Sequence, residues 1–310
     1  MHGGPAVAMT QAASAPVDRK VSAMTDAQRM QFERDGYLLV RGALGESEVA
    51  AYAAALDRVY AAQQAEGRIK RGGPMHLLSA VTNCREAIAL TDHPATFPLV
   101  WSVLGWNVHI YHSHLDVNPP ILAHASYRFE WHQDGGRQNR ELDGEPRPRM
   151  SVKLGYWLSD LSEPGRGNLK IVPGSHRWNW IDGPPRRDIE WPEPTDAVEL
   201  CAQPGDAVFF DRRLWHARSN NYSDITRKAI FIAYAPRWMV IRDAIEDLHA
   251  DTAFEFLPPV RKQLLGAAGV GIPGQAQGDH RWGHYPQTTP LYKFLEERGH
   301  LTDDHPPLRP

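Results

Sequence analysis

The segment Trp131-His132-Gln133-Asp134 places an imidazole and a carboxylate two residues apart. In extended backbone, residues i and i+2 project to the same side, so His132 and Asp134 can reach one ion from one strand. A third donor must come from elsewhere. The segment Phe209-Phe210-Asp211 followed by Leu214-Trp215-His216 supplies it, as a strand with a histidine close behind. Two imidazoles and one carboxylate are the donor set of facial non-haem Fe(II) centres, which keep three coordination positions open. An HxD pair alone is weak evidence, since a polar surface loop gives the same pattern. Arg227, at the head of the apolar run Lys228 to Tyr234, adds a second element. Its guanidinium fork offers two parallel hydrogen bonds to a carboxylate. The distal end of 2-oxoglutarate is such a group. Standing alone, Arg227 reads as a surface arginine at a strand edge. His93, His176, His249, His280, His284, His300 and His305 read as surface or structural residues.

These side chains need a scaffold. Thr25 to Asp35 opens on Thr-Asp and closes at Gly36, the pattern of a capped helix ended by a glycine. Tyr37 to Val40 then reads as a short strand. Apolar residues recurring at three and four predict a helix from about Glu46 to Glu66. Residues 86–104 read as helical with a break at Pro94. From residue 107 the pattern changes to alternation. Asn107–Val117, Met150–Leu158, Gly167–Val172, Ala207–Phe210 and Lys228–Tyr234 read as strands, separated by Pro-Gly and Asp-Gly turns. Val152, Leu154, Tyr156 and Leu158 share one face. Many short strands with such turns predict a mainly β fold, a double-stranded β-helix of the jelly-roll or cupin kind, with flanking N-terminal and C-terminal helices. We expect a disordered tail over residues 1–24 and one oxygenase domain over 25–310. Its β-helix core spans about 107–238, and a helical and loop extension spans 239–310. Residues 178–196, with Trp178, Trp180 and Trp191, read as a long insertion able to cover a site.

Composition narrows the function. The net charge is −3, and acidic and basic residues are interspersed, so no broad basic surface exists for nucleic acid. No run of about 18 apolar residues suggests a membrane span. Two distant cysteines support neither a disulfide framework nor a zinc-thiolate site, and two free thiols suit a reducing, cytoplasmic setting. A small-molecule substrate is the expected partner. Oligomeric state is not legible.

Several stretches, in order, resemble the phytanoyl-CoA dioxygenase family over roughly residues 26–238: FERDGYLLVRGAL, WHQD, GNLKIVPGSH, and PGDAVFFDRRLWHARSNN followed by Arg227. The resemblance implies an Fe(II)- and 2-oxoglutarate-dependent dioxygenase that takes O2 as co-substrate and releases succinate and CO2. It would oxidise, most often hydroxylate, an unactivated C–H bond. His132, Asp134 and His216 fall on the metal ligands, and Arg227 on the 2-oxoglutarate arginine. In comparison with the family's ectoine-hydroxylating members, Asp116 falls where 2-oxoglutarate is touched and His112 where substrate is touched. Phe129 falls where an aromatic lies against the co-substrate, and Phe231 would line the pocket. Asn168-Leu169 stands where many relatives carry a small polar residue before PGSH. Asp134 is retained, unlike in related halogenases. A redox-neutral jelly-roll metalloenzyme, such as an isomerase or hydrolase, and a non-catalytic relative are the competing readings.

Overall fold

The computed structural model describes residues 23–121, 131–136, 138–142, 144–180, 193–267 and 289–301. Phe129, Trp191 and most of the expected 1–24 tail lie outside the described residues.

The N-terminal half is helical around short strands. Helix α1 (Asp26–Asp35) begins with a capping box between Thr25 and Gln28 and ends at Gly36, whose φ of 80° is left-handed. Strand β1 (Tyr37–Val40), helix α2 (Glu46–Ala65), strand β2 (Met75–Leu78) and short helix α3 (Ala80–Asn83) follow. A 3₁₀ segment (Arg85–Asp92) and helix α4 (Phe97–Leu104) flank the break at Pro94. Met24 is buried, and its backbone N–H donates to Ser102 Oγ at 3.0 Å.

Strand β3 (Val108–Asn118), short helix α5 (Gln138–Glu141) and strands β4 (Val152–Trp157), β5 (Leu169–Ile171), β6 (Val198–Leu200), β7 (Ala207–Asp211), β8 (His216–Arg218) and β9 (Arg227–Pro236) come next. Short helices α6 (Glu246–Ala250), α7 (Pro259–Leu264) and α8 (Pro290–Glu297) complete the described chain. The strands form two antiparallel sheets: a six-stranded sheet in the order β1-β7-β4-β9-β3-β2 and a three-stranded sheet in the order β6-β5-β8. Sequence alternation located β3, β4, β5, β7 and β9. It missed β2, β6 and β8.

The large sheet has two unlike faces. Its outer face carries Leu115, Val117, Val152, Leu154, Tyr156, Phe209, Ile230, Ile232 and Tyr234. Phe32 of α1, Leu56 of α2, Trp101 of α4, Leu264 of α7 and Leu291 and Leu295 of α8 pack over it in one apolar cluster. Phe32 stacks on Phe209 at 4.8 Å between centroids. The inner face carries Trp157, Val208, Phe210, Ala229 and Phe231, which meet Leu169, Ile171 and Leu200 of the small sheet.

A bulge decides which residues of β3 face inward. Its register against β9 shifts between Ile110 and His112. Ahead of the bulge, Val108 and Ile110 lie in the outer cluster; after it, Leu115 and Val117 do. The extra residue reverses the phase. His112, His114 and Asp116 therefore fall on the inner face, where an unbroken alternation of Asn107–Val117 would have placed them against the core. Among the described residues, no helix is long and apolar enough to cross a membrane.

Candidate metal and co-substrate site

Strand β8 of the small sheet and the segment bridged to it bring the three candidate donors together. His132 and His216 form an antiparallel bridge: the His132 N–H donates to the His216 carbonyl at 3.0 Å, and the His216 N–H to the His132 carbonyl at 2.9 Å. Directly opposed residues of an antiparallel pair share a face, and the two rings lie 4.3 Å apart. Among the described residues, the expected strand around His132 appears as this one bridge, and Asp134 sits in the turn that follows. The Asp134 N–H donates to the Arg212 carbonyl at 2.9 Å, which fixes the turn. Gly135 lies at φ +116°, and a Cβ there would come within 2.1 Å of Arg212 Nη1, so only glycine lets the loop approach. Gln133 clamps the same loop, donating to the carbonyls of Trp178 at 2.8 Å and Arg213 at 2.5 Å.

Asp134 Oδ1 lies 3.9 Å from His216 Nε2 and 4.0 Å from His132 Nε2. One donor atom from each of the three residues falls within 4.8 Å of the others. A ring nitrogen facing a carbonyl oxygen must donate, so the 2.8 Å contact between His216 Nδ1 and the Leu214 carbonyl leaves Nε2 as a lone-pair donor. Burial, followed by the neighbouring His132, pushes His216 down to about 3, so it is neutral at physiological pH. Burial alone would raise Asp134. The Lys153 ammonium, 2.5 Å from Oδ2, leads the interactions that hold it well below the usual carboxylate range. A neutral His216 and an ionised Asp134 are the protonation states that a divalent ion requires of these groups. The donor set fits Fe(II).

Arg227 opens β9 and is 2% exposed. Its guanidinium lies over Trp157 at 5.1 Å and Phe231 at 5.8 Å from the ring centroids. Nη1 is 3.4 Å from Asp116 Oδ2, while Nε has no hydrogen-bond partner among the described residues. A buried guanidinium with an unused N–H suits a carboxylate ligand. Burial lowers Arg227 to about 10, which still leaves it charged at neutral pH.

Asp116 faces inward as the resemblance implies, but its partners are protein groups. His76 Nδ1 is 2.7 Å from Oδ1, and His114 Nε2 is 3.9 Å from Oδ2. Burial opposes its charge; His114, the hydrogen bond to His76 and Arg227 outweigh burial and hold it well below the usual range. His114 stacks on its cross-strand partner Phe231 at 4.6 Å and on His112 at 5.4 Å. Burial pushes His112 down to about 3. Gly155 permits this stack, since a Cβ there would come within 2.5 Å of the Phe231 ring. His76, His114 and Asp116 also have metal-compatible spacing, but the Arg227 cation against the same carboxylate opposes a metal ion there.

Seven of the sequence-derived residues are therefore placed: His132, Asp134 and His216 on β8 of the small sheet and the segment paired with it, and His112, Asp116, Arg227 and Phe231 on the inner face of the large sheet. Asn168, in the place of a small polar residue, is fully buried and donates to the Leu161 and Leu200 carbonyls at 2.8 and 3.1 Å. Leu169 belongs to the inner apolar cluster. Sequence reasoning overlooked Lys153 and His114. The alternation of β4 assigned Val152, Leu154 and Tyr156 to the core, which by default leaves Lys153 in solvent; a second layer instead buries it to 4%. His114 was legible as the residue between His112 and Asp116 in the same alternation.

A family model for phytanoyl-CoA dioxygenase matches residues 32–229. The ectoine dioxygenase of Nocardia farcinica is 26% identical over 239 residues, covering 67% of this chain and 76% of the relative. That of Streptomyces avermitilis is 26% identical over 272 residues, covering 79% and 86%. Among solved structures, HygX from Streptomyces hygroscopicus with nickel and 2-oxoglutarate bound aligns with a TM-score of 0.54 at 17% identity, over 69% of this chain and 88% of that one. The non-haem alpha-ketoglutarate-dependent carbocyclase SnoK from nogalamycin biosynthesis aligns with a TM-score of 0.52 at 22% identity, over 76% and 91%. At these identities the structural likeness concerns the fold. The chain belongs to the phytanoyl-CoA dioxygenase family and is a 2-oxoglutarate-dependent non-haem iron dioxygenase.

Proposed function

We propose that this dioxygenase hydroxylates an unactivated C–H bond of a small-molecule metabolite or natural-product intermediate, releasing succinate and CO2. The observation that carries the reading is a two-histidine, one-carboxylate cluster together with a buried arginine whose Nε has no hydrogen-bond partner among the described residues. The ectoine dioxygenases and the 2-oxoglutarate-bound HygX support it by their named ligands and activities. We read the two sheets, joined through the inner apolar cluster, as the walls of one double-stranded β-helix within a single oxygenase domain.

His132, Asp134 and His216 would hold the iron, and Arg227 the distal carboxylate of 2-oxoglutarate. Bound together, iron, 2-oxoglutarate and O2 supply the oxidising power for C–H cleavage. The chain's own part is placement and exclusion. The neutral His216 and the ionised Asp134 would hold the metal, with His132, without taking up protons themselves. Trp157 and Phe231 wall the arginine from water, which strengthens its grip on a carboxylate. Asp116 orients the guanidinium from the side. His112 faces the space where a substrate would sit, with Phe231 beside it. Phe129 is assigned to the co-substrate's flank by the resemblance. The side chain of His132 is 53% exposed, so the centre opens to solvent on that side, where substrate can enter.

Turnover under ¹⁸O₂ tests the reading. One labelled oxygen in succinate and one in a product heavier by a single oxygen is the expected result. Succinate release with a product two hydrogens lighter and unlabelled would replace hydroxylation by desaturation or ring formation.

A further inference from the structure

Lys153 is a buried cation that the family's chemistry, as set out above, does not require. It stands in an otherwise apolar strand, Val152–Trp157, between inner-face neighbours Phe210 of β7 and Ala233 of β9 in register. Ala233 leaves room beside it, and the ammonium lies 5.7 Å from the Phe210 ring centroid. Lysine is rarely so buried without a specific partner. Its partner here is Asp134. The carboxylate is divided: Oδ1 faces both imidazoles at 3.9 and 4.0 Å, and Oδ2 faces Lys153 Nζ at 2.5 Å.

We propose that Lys153 is a positioning residue that occupies the outer oxygen of Asp134 and so holds this ligand to one-oxygen coordination of the iron. The inference rests on the triad reading above. The physical reason is the cost of an unpaired buried oxygen. A carboxylate oxygen stripped of water must find a partner. With Lys153 present, the partner is an ammonium, held as an ion pair and not as an aligned hydrogen bond. Without it, the available cation is the metal, and coordination through both oxygens would consume one of the three positions left open by the triad. Two of those are needed for the oxoacid end of 2-oxoglutarate and one for O2. Lys153 thus acts on the co-substrate through Asp134, without touching it. Arg212, another buried cation near this loop, is engaged with Gln138 Oε1 at 3.0 Å and Asn139 Oδ1 at 2.8 Å.

The test uses the full chain under anaerobic conditions, with Lys153→Met, which keeps the stem and removes the charge, and Lys153→Arg. Two readouts are followed: the visible absorption of Co(II)-substituted protein, which reports coordination number, and calorimetric binding of 2-oxoglutarate and of pyruvate, an oxoacid without a distal carboxylate, to metal-loaded protein. The inference predicts that Lys153→Met retains metal binding, shows an altered Co(II) spectrum, and weakens both oxoacids by a similar factor, on the order of tenfold or more. Lys153→Arg restores both. Loss confined to 2-oxoglutarate would overturn it, because Lys153 would then grip the distal carboxylate beside Arg227. Unchanged spectrum and affinities would also overturn it. Loss of metal binding together with a lower melting temperature, in both variants, would make Lys153 a structural residue and equally sink the idea. If wild type binds no metal at His132, Asp134 and His216, the triad reading itself fails, an outcome visible before any Lys153 variant is compared.

Discussion

The two faces of the large sheet are built from the same strands yet do different work. Along β4, Leu154 points outward into a helix-covered apolar cluster, and its neighbours Lys153 and Gly155 point inward to the site. Along β9, Ile230 and Ile232 face out, while Arg227 and Phe231 face in. Every residue of β4 is buried, so burial does not separate the two faces; chemistry does. The outer face is apolar and supplies stability through area removed from water. The inner face gathers half-buried His112 and the buried His114, Asp116, Lys153 and Arg227, groups that cost stability and are tolerated because they pair with one another or await a ligand.

That division can be broken from either side. On the inner face, His216→Ala removes a donor that no neighbour replaces. We expect turnover to fall at least about a thousandfold, equivalent to about 4 kcal/mol, while the melting temperature of metal-free protein stays within about 4 °C of wild type. Turnover assays alongside thermal unfolding check this. On the outer face, Ile232→Ala should lower unfolding free energy by about 2–5 kcal/mol, with 2-oxoglutarate affinity unchanged when measured on folded protein at low temperature. A shift in affinity would show that the faces are mechanically coupled.

Gly155→Ala probes the boundary between them. The new methyl group meets Phe231, which must leave its stack on His114. The expected cost is about 1–3 kcal/mol in denaturant unfolding, with part recovered by adding Phe231→Leu.

A pH series sharpens the contrast further. His109 is pushed down to about 4 and His112 and His216 to about 3, in each case chiefly by burial. An unfolded imidazole titrates near 6.5. The unfolded chain therefore binds more protons below that value. Stability from keeping these rings neutral is fully present above about pH 6.5 and is lost as pH falls toward 4 and 3. The slope is up to about 1.4 kcal/mol per pH unit for each histidine. Denaturant titrations of metal-free protein across this range should show the decline, and His109→Asn should flatten it slightly.

Much of this arrangement was legible in the chain. Caps at Thr25 and Gly36 and the alternation of β4, β7 and β9 follow local rules that tertiary context left intact. The donor residues were legible because HxD, a later histidine and an arginine occur in an order with few other uses. The strands β2, β6 and β8 were not; at three or four residues they carry no period, and the equally short β1 and β5 were legible only through the apolar run Tyr37–Val40 and the turns that bracket Gly167–Val172. Nor was the bulge at Tyr111, which reverses the inward residues of β3 without a glycine or proline to mark it. Lys153 escaped for a related reason. Alternation says which residues share a face and is silent on whether that face meets water or a second sheet.

The central claim is that His132, Asp134 and His216 hold iron and Arg227 holds 2-oxoglutarate. The direct test is the visible charge-transfer band formed when 2-oxoglutarate is added to anaerobic, Fe(II)-loaded protein, compared across wild type, His132→Ala and Arg227→Ala. The account predicts a band in wild type, none in His132→Ala, and in Arg227→Ala a band of similar shape that needs about 10–100 times more 2-oxoglutarate, a loss of roughly 1.4–3 kcal/mol for one charge-assisted contact. No band in folded, iron-replete wild type would contradict it.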